Sequence, residues 1–513
     1  MAQLLLAHDL GTTGNKATLY DPAGELVASA FRGYATDYGP AGHVEQDPAE
    51  WWEAICRSTG ELLAGSGAAR RDVAAVSFSG QMMGCLAVGA DGRPLRRAII
   101  WADQRAVAQA DRLAERIGPA RGYAITGHRL SPSYSAAKAM WLAEHEPEVV
   151  RHTRCFLQAK DYAVLRLTGA LATDYSDASG TNLFDLQRRE WSAELFAAAS
   201  LDPAQWPTLH PAATVVGEVT REAAEATGLA AGTPVAIGGG DGSCAAVGAG
   251  VVREGSAYSY IGSSAWVALA SREPLADPKL RTVTFHHLPD DLLMPTGAMQ
   301  SAGGSYGWFA EHICDFLCDE AEEDGYANTY ELLDKLAEGP PMVGAPVLFL
   351  PYLLGERSPH WNANARGVFI GMTPETGLGT LARAILDGVA LNLGLILDIF
   401  RELGAEVEAV RLIGGGARSL LWRQIMADVH GVPVRQAEHL GAATSLGAAI
   451  CGGVAVGLYR DYTVAEELVK IVAEQRPDPA ATAYYQRLKP VFVQAYEALK
   501  PTFEAMAELA AGK

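Results

Sequence analysis

Residues 234–268 read PVAIGGGDGSCAAVGAGVVREGSAYSYIGSSAWVA, and the fold turns on this stretch. The run 235–237 has the β-branched, apolar character of a short buried strand. It stops at three glycines, which let the backbone turn tightly and come close to a ligand. A lone carboxylate, Asp241, follows. After it come small residues and a second strand-like piece, 257–260, which breaks at Gly262-Ser263-Ser264 and resumes at Trp266. A carboxylate at the end of a buried strand, beside a glycine turn, is where α/β folds place reacting groups. Taken alone, a helix-capping Asp in a small-residue turn accounts for it better.

A second copy of the pattern changes that balance. The N-terminus carries LLLAHDLGTTGNKATLY: an apolar strand, Asp9, a tight turn at Gly11-Thr12-Thr13-Gly14, then a further strand from Lys16. Turns tipped with Gly, Ser and Thr offer backbone N–H and hydroxyl donors to phosphate oxygens. Two of them about half a chain apart predict two similar lobes that grip one polyphosphate.

Further segments fall into line with these two. DLGTT at 9–13, SGQM at 79–82, IIWADQR at 99–105, GGGDG at 238–242, LPYLLGERSPHWN at 350–362 and LIGGGARSLLWRQIMAD at 412–428 occur in order. Together they resemble the FGGY carbohydrate kinases, and within them the xylulokinases, from Leu4 to Gly457. SYSAAKAMWLAEHEP at 133–147 resembles the first family signature, with Lys138 and Trp141 in place and Ala139 where a larger apolar residue is usual. The resemblance implies an α/β, two-lobe actin-like (ribonuclease-H-like) ATPase fold with an interlobe cleft. The expected lobes are residues 1–247, carrying the sugar side and the base, and 248–513, carrying the nucleotide side.

The resemblance also assigns roles. Asp241 is the expected general base and Asp9 the residue that organises Mg²⁺, in part through water. Thr12, Thr13 and Lys16 match the first phosphate clamp, and Gly262, Ser263 and Ser264 the second. Gly303, Gly415, Gly416 and Ala417 match the nucleotide side. Gln81, Met82, Met83, Trp101, Asp103, Arg105, Gly242 and, more loosely, Trp266 match the sugar side. The implied cofactors are ATP and Mg²⁺, and the implied activity is transfer of the γ-phosphate to a hydroxyl of a small ketose. Two positions depart from the xylulokinase pattern. Met83 stands where His is usual, and Gly242 where Asn is usual. Losing a polar group at each predicts weaker recognition of D-xylulose and better use of another ketose or polyol, such as ribulose, erythrulose, erythritol or glycerol.

Composition narrows the classes. In 513 residues, 49% hydrophobic and 20% charged, there is ample core for two or three domains of an ordinary soluble protein. A net charge of −19 argues against nucleic acid and anionic membrane as partners. No basic leader precedes an apolar stretch, and seven scattered cysteines suit reduced cytoplasmic thiols, with no metal expected at Cys314 and Cys318. The expected partner is a small sugar, in a chain compatible with a homodimer. A dinucleotide oxidoreductase is a weak rival: Gly240-Asp241-Gly242-Ser243-Cys244-Ala245 fits GxGxxA, but no acidic residue stands at the ribose position about 20 residues on. A P-loop kinase fails because GxxxxGK[ST] does not occur. A non-catalytic actin-like scaffold would need neither Asp241 nor the cluster from Trp101 to Arg105.

Along the rest of the chain, Asp47-Pro48-Ala49-Glu50 predicts a helix start running on to residue 63. Strands are expected at 73–78, 98–101 and 410–413. Helices are expected at 380–403, 420–430 and 443–456, and from residue 480 onward. The small residues of 443–456 predict close helix packing.

Overall fold

The computed structural model describes residues 3–323, 325–339, 346–438 and 440–510. Packing divides the chain into two compact units. One comprises Met1–Glu254, Ala270–Met294 and Ala442–Val469; the other comprises Gly255–Leu269, Pro295–Gly441 and Lys470–Lys513. A single boundary after residue 247 follows chain order, whereas packing returns two later stretches to the first unit.

The first unit is built on a sheet with strand order Val215–Glu218, Pro234–Ala236, Val73–Gly80, Leu4–Leu10, Gly14–Tyr20 and Leu26–Gly33. Leu4–Leu10 lies at its centre, parallel to Val73–Gly80 and antiparallel to Gly14–Tyr20. Leu4, Leu5, Leu6, Ala7 and Leu10 are all buried, as a strand covered on both faces requires. The helix Pro48–Ser66 starts as its sequence dictates. Asp47 accepts the Ala49 N–H at 2.9 Å, Pro48 fills the first position, and Gly67 ends the helix at φ +68°. Glu50, three residues from the cap, instead accepts the Ala35 N–H at 2.8 Å. The strand expected at 98–101 is only Ala98–Ile99, because the Asp103 N–H turns back to the Ile100 carbonyl.

The second sheet has seven strands, with Val283–His286 at one edge, and its other six repeat this order. Ile471–Gln475, Val434–Ala437, Val410–Ile413, Ala257–Ile261, Ala265–Leu269 and Leu293–Met299 lie side by side. In both sheets an antiparallel hairpin is continued by parallel strands and closed by an antiparallel edge. The echo between the two glycine–hydroxyl turns is therefore an echo of whole sheets. Helix Leu378–Glu402 is long and apolar enough to cross a membrane, yet 78% of its apolar window is buried inside the protein. Ile385, Val389, Leu393, Ile396 and Phe400 form its core face. Six cysteines are free thiols; the side chain of Cys318 lies outside the described residues.

Candidate active site

Asp241 is the first residue of helix Asp241–Gly248. The chain reaches it through Gly238, at φ +72°, and the short strand Gly239–Gly240, which pairs in parallel with Ser79–Gly80. Glycine is required along this approach. A Cβ on Gly238 would sit 2.0 Å from the Phe78 carbonyl oxygen, and one on Gly240 would sit 2.6 Å from Met82 Sδ. The helix behind is held backbone to backbone. A Cβ on Gly248 would fall 1.7 Å from the Ala443 oxygen, and one on Gly447 would fall 1.9 Å from the Cys244 oxygen. The small residues of helix Ala443–Ala455 therefore do pack closely, against the helix that begins with Asp241.

Asp9 is the last residue but one of strand Leu4–Leu10, paired with Ser79, whose hydroxyl donates to its Oδ1 at 3.0 Å. Burial raises the Asp241 carboxyl to about 7. The negative Asp9 adds to that rise, and the Gly242 N–H opposes it from 2.7 Å. Asp9 is raised by burial too, and is drawn back by Ser79 and by Lys16. Two carboxylates that sense each other beside one lysine make an electrostatic centre suited to a divalent cation or a transferred proton.

The turn at Gly11–Thr13 is anchored by its carbonyls. The Gly11 oxygen accepts Tyr34 Oη, the Thr12 oxygen accepts Gln46 Nε2 at 2.7 Å, and the Thr13 oxygen accepts the Tyr34 N–H at 3.3 Å. No protein acceptor takes the Thr12 or Thr13 amides among the described residues. The second unit treats Gly262-Ser263-Ser264 in the same way. The Ser263 oxygen accepts from Ala302 N at 2.8 Å and Gly304 N at 2.9 Å, and the Gly262 oxygen accepts from Gly303 N at 2.9 Å. The amides of Ser263 and Ser264 likewise have no protein acceptor among the described residues. Each turn thus bonds its carbonyls inward and leaves amides without a protein acceptor among the described residues, an arrangement of the kind that suits an anion. In the same unit, Gly414 (φ +87°) leads into the 3₁₀ turn Gly415–Arg418. There Ala417 is buried, and Gly415 is exposed with open space around its Cα.

Of the expected sugar-side residues of the first unit, Gln81, Met82 and Met83 follow directly on strand Val73–Gly80. Gln81 Nε2 donates to Gln46 Oε1 at 2.7 Å, and its own Oε1 is buried with no partner among the described residues. Met82 packs on Gly240, and Met83 lies near Gly180 with its backbone left-handed at φ +65°. Trp101 Nε1 donates to Thr12 Oγ1 at 2.9 Å, which ties the segment carrying Trp101 to the first turn. Asp103 is wholly buried. Its oxygens take the Val44 N–H and the Arg105 guanidinium, and Glu45 stands 2.8 Å from the same guanidinium. This ion pair shapes the loop that carries Trp101 and does not turn a carboxylate outward. Gly242 has room, since a Cβ there would meet only Met294 Cε, at 3.5 Å. Trp266 belongs to the second sheet, where its indole donates to Tyr258 Oη at 2.8 Å and stacks on Tyr260.

Two contributors, Gln46 and Met294, escape motif reading, and a third lies in a signature that gave it no role. Gln46 bridges Thr12, Trp51 and Gln81. Met294 lies 52 residues from Gly242 along the chain. Lys138, wholly buried, donates to the Met83 oxygen at 2.7 Å, and burial lowers it to about 7. Only Lys138 had a sequence signal, the signature it shares with Trp141.

Comparison with known proteins accords with this geometry. The FGGY family of carbohydrate kinases matches by its N-terminal domain over residues 4–248 and by its C-terminal domain over residues 257–456. The chain belongs to that family. This FGGY kinase is 35% identical to the xylulose kinase of Escherichia coli strain K12, over 94% of this chain and 96% of the other. It is 28% identical to the gluconokinase of Bacillus licheniformis, over 96% and 95%. Among solved structures, the xylulose kinase from Rhodospirillum rubrum superposes with a TM-score of 0.89 at 30% identity, covering 98% of this chain and 100% of that one. This FGGY kinase is accordingly a sugar kinase, a phosphotransferase with ATP as donor and the two-lobe actin-like fold.

Proposed function

We propose that this kinase is xylulokinase-like and phosphorylates a hydroxyl of a small ketose, with a pentulose as the first choice. The observation that carries the reading is Asp241. It is a carboxylate at a helix start, fixed on a glycine strand and held near 7, so it is basic enough to take a proton from a sugar hydroxyl at neutral pH. Asp241 accepts that proton as the sugar oxygen bonds to the γ-phosphorus. The bond from that phosphorus to the bridging oxygen breaks, and ADP leaves.

The remaining residues position the partners. The amide edges of Thr12–Thr13 and Ser263–Ser264, with Lys16, suit phosphate oxygens, and Gly303, Gly415, Gly416 and Ala417 suit the nucleotide. The free acceptor on Gln81 suits a sugar hydroxyl, next to Met82, Met83 and Gly242. Two coupled carboxylates fit Mg²⁺, which keeps waters and phosphate oxygens in its shell and needs few protein ligands. Asp9 would hold it, in part through water, and Mg²⁺ would supply charge neutralisation on the phosphates. Cytoplasmic work on a free sugar accords with this chemistry.

ADP release with MgATP against D-xylulose, ribulose, erythrulose, erythritol, glycerol and gluconate tests the reading. Turnover on a ketose well above every other class is the expected result. Turnover confined to gluconate or glycerol contradicts it.

A further inference from the structure

Behind the Asp241 turn lies a group of buried charges that none of these roles uses. Lys160 Nζ stands 2.7 Å from Asp161 Oδ1, 2.9 Å from Asp174 Oδ1 and 3.2 Å from Asp177 Oδ2, and all four side chains are shut away from solvent. Asp174 caps the short helix Tyr175–Ser179 through the N–H groups of Ser176 and Asp177. The Ser176 hydroxyl donates to Asp174 Oδ2 and accepts the Gly240 N–H at 2.9 Å. Gly240 is the residue immediately before Asp241.

A base on such a backbone needs outside support. Gly238, Gly239 and Gly240 carry no side chains, and glycine loses the most freedom when it is fixed. The sheet holds only Gly239 and Gly240. Ser176 closes the open side, with its Oγ lying 2.9 Å from where a Gly239 Cβ would be. Two further bonds bracket the first helical turn. The Ser179 hydroxyl accepts the His286 N–H at 3.2 Å, and the Ser243 hydroxyl donates to the His286 oxygen at 2.9 Å. Lys160 also backs the partner strand, because a Cβ on Gly80 would meet its Cβ at 2.9 Å.

We infer that Ser176 and Asp174, with Lys160 as the buried counter-charge, are positioning residues that fix the Gly240 peptide and thereby aim the Asp241 carboxylate. The inference rests on the reading of Asp241 as the base. A misplacement of about 1 Å at a reacting group costs on the order of a hundredfold in rate.

The test compares Ser176→Ala, Ser176→Thr and Asp241→Asn with the parent, using MgATP and the best sugar of the panel. Ser176→Ala is expected to lower kcat by roughly ten- to a hundredfold. KM for ATP should stay within about twofold, because the phosphate turns are untouched. Ser176→Thr keeps the hydroxyl and should recover most of kcat, with thermal midpoints of both variants near the parent's. A kcat within about twofold of the parent in Ser176→Ala overturns the inference. So does a Ser176→Thr variant that folds normally yet is no faster than Ser176→Ala. If Asp241→Asn itself keeps its turnover, the base assignment is what has failed. An inactive Asp241→Asn beside a fully active Ser176→Ala removes the positioning role alone.

Discussion

Asp241 must be ionised before it can accept a proton, and both its burial and the nearby Asp9 oppose ionisation. A raised pKa means that the base is lost as pH falls through about 7, where an ordinary carboxylate would remain charged to about 4. On the acid side kcat/KM for the sugar should therefore fall about tenfold per pH unit, with a midpoint near neutrality. A profile flat from pH 8 to pH 5 would contradict this. Substrate choice also belongs at this scale. The left-handed backbone at Met83 is a conformation in which bulky residues are uncommon, and Lys138 holds its carbonyl, so the backbone there is set independently of the side chain. Gly242 leaves open space that an Asn could enter. Met83→His combined with Gly242→Asn is expected to raise kcat/KM for D-xylulose by about five- to a hundredfold, the worth of two hydrogen bonds to buried hydroxyls. A parent already at its best on D-xylulose, unchanged by the pair, would contradict that.

Among the elements, the helix that begins with Asp241 and helix Ala443–Ala455 touch through glycines. Gly248→Ala would put a Cβ 1.7 Å from the Ala443 oxygen, with backbone on both sides and nothing able to yield cheaply. A loss of about 1–3 kcal/mol or more is expected, read as a lowered denaturation midpoint. Gly60→Ala is the contrast: it lies exposed within helix Pro48–Ser66, with no atom within 4 Å of its Cβ, and should gain roughly 0.5–1 kcal/mol. Equal effects from the two would contradict the packing argument. Elements with local signals were legible in the sequence. Strand Val410–Ile413 and helix Leu420–His430 lie where the apolar pattern puts them, and the structure adds a Ser419 cap that accepts the Trp422 N–H at 3.0 Å. The small-residue character of 443–456 announced close packing without naming its partner. Which helix it meets depends on contacts some 200 residues apart, and no local pattern encodes those. Strand 98–101 came out short for a related reason: its apolar run is followed by a turn that the buried Asp103–Arg105 pair enforces. Ser176, Asp174 and Lys160 are ordinary polar residues in sequence, and only folding brings them behind Gly240.

Across the whole molecule, two sheets that share the order of six strands each carry one turn whose amides have no protein acceptor among the described residues, and their other equipment differs. The first unit holds Asp9, Asp241 and the Gln81–Met83 segment, proposed for the sugar and the proton, while the second holds Gly303 and the Gly415–Arg418 turn, proposed for the nucleotide. This division of labour can be tested with Gly303→Ala, whose Cβ would lie 2.4 Å from the Gly262 oxygen and push on the second turn. KM for ATP should rise severalfold with KM for the sugar nearly unchanged. A rise confined to the sugar would contradict the assignment. The central claim is narrower: sugar phosphorylation by this kinase runs through the Asp241 carboxylate. The most direct measurement is ADP release from MgATP, with and without the best sugar, by the parent and by Asp241→Asn, beside ATP binding by calorimetry. Sugar-dependent release in the parent should fall by orders of magnitude in the variant while ATP affinity stays close to the parent's. A variant that keeps most of its sugar-dependent turnover would contradict the claim outright.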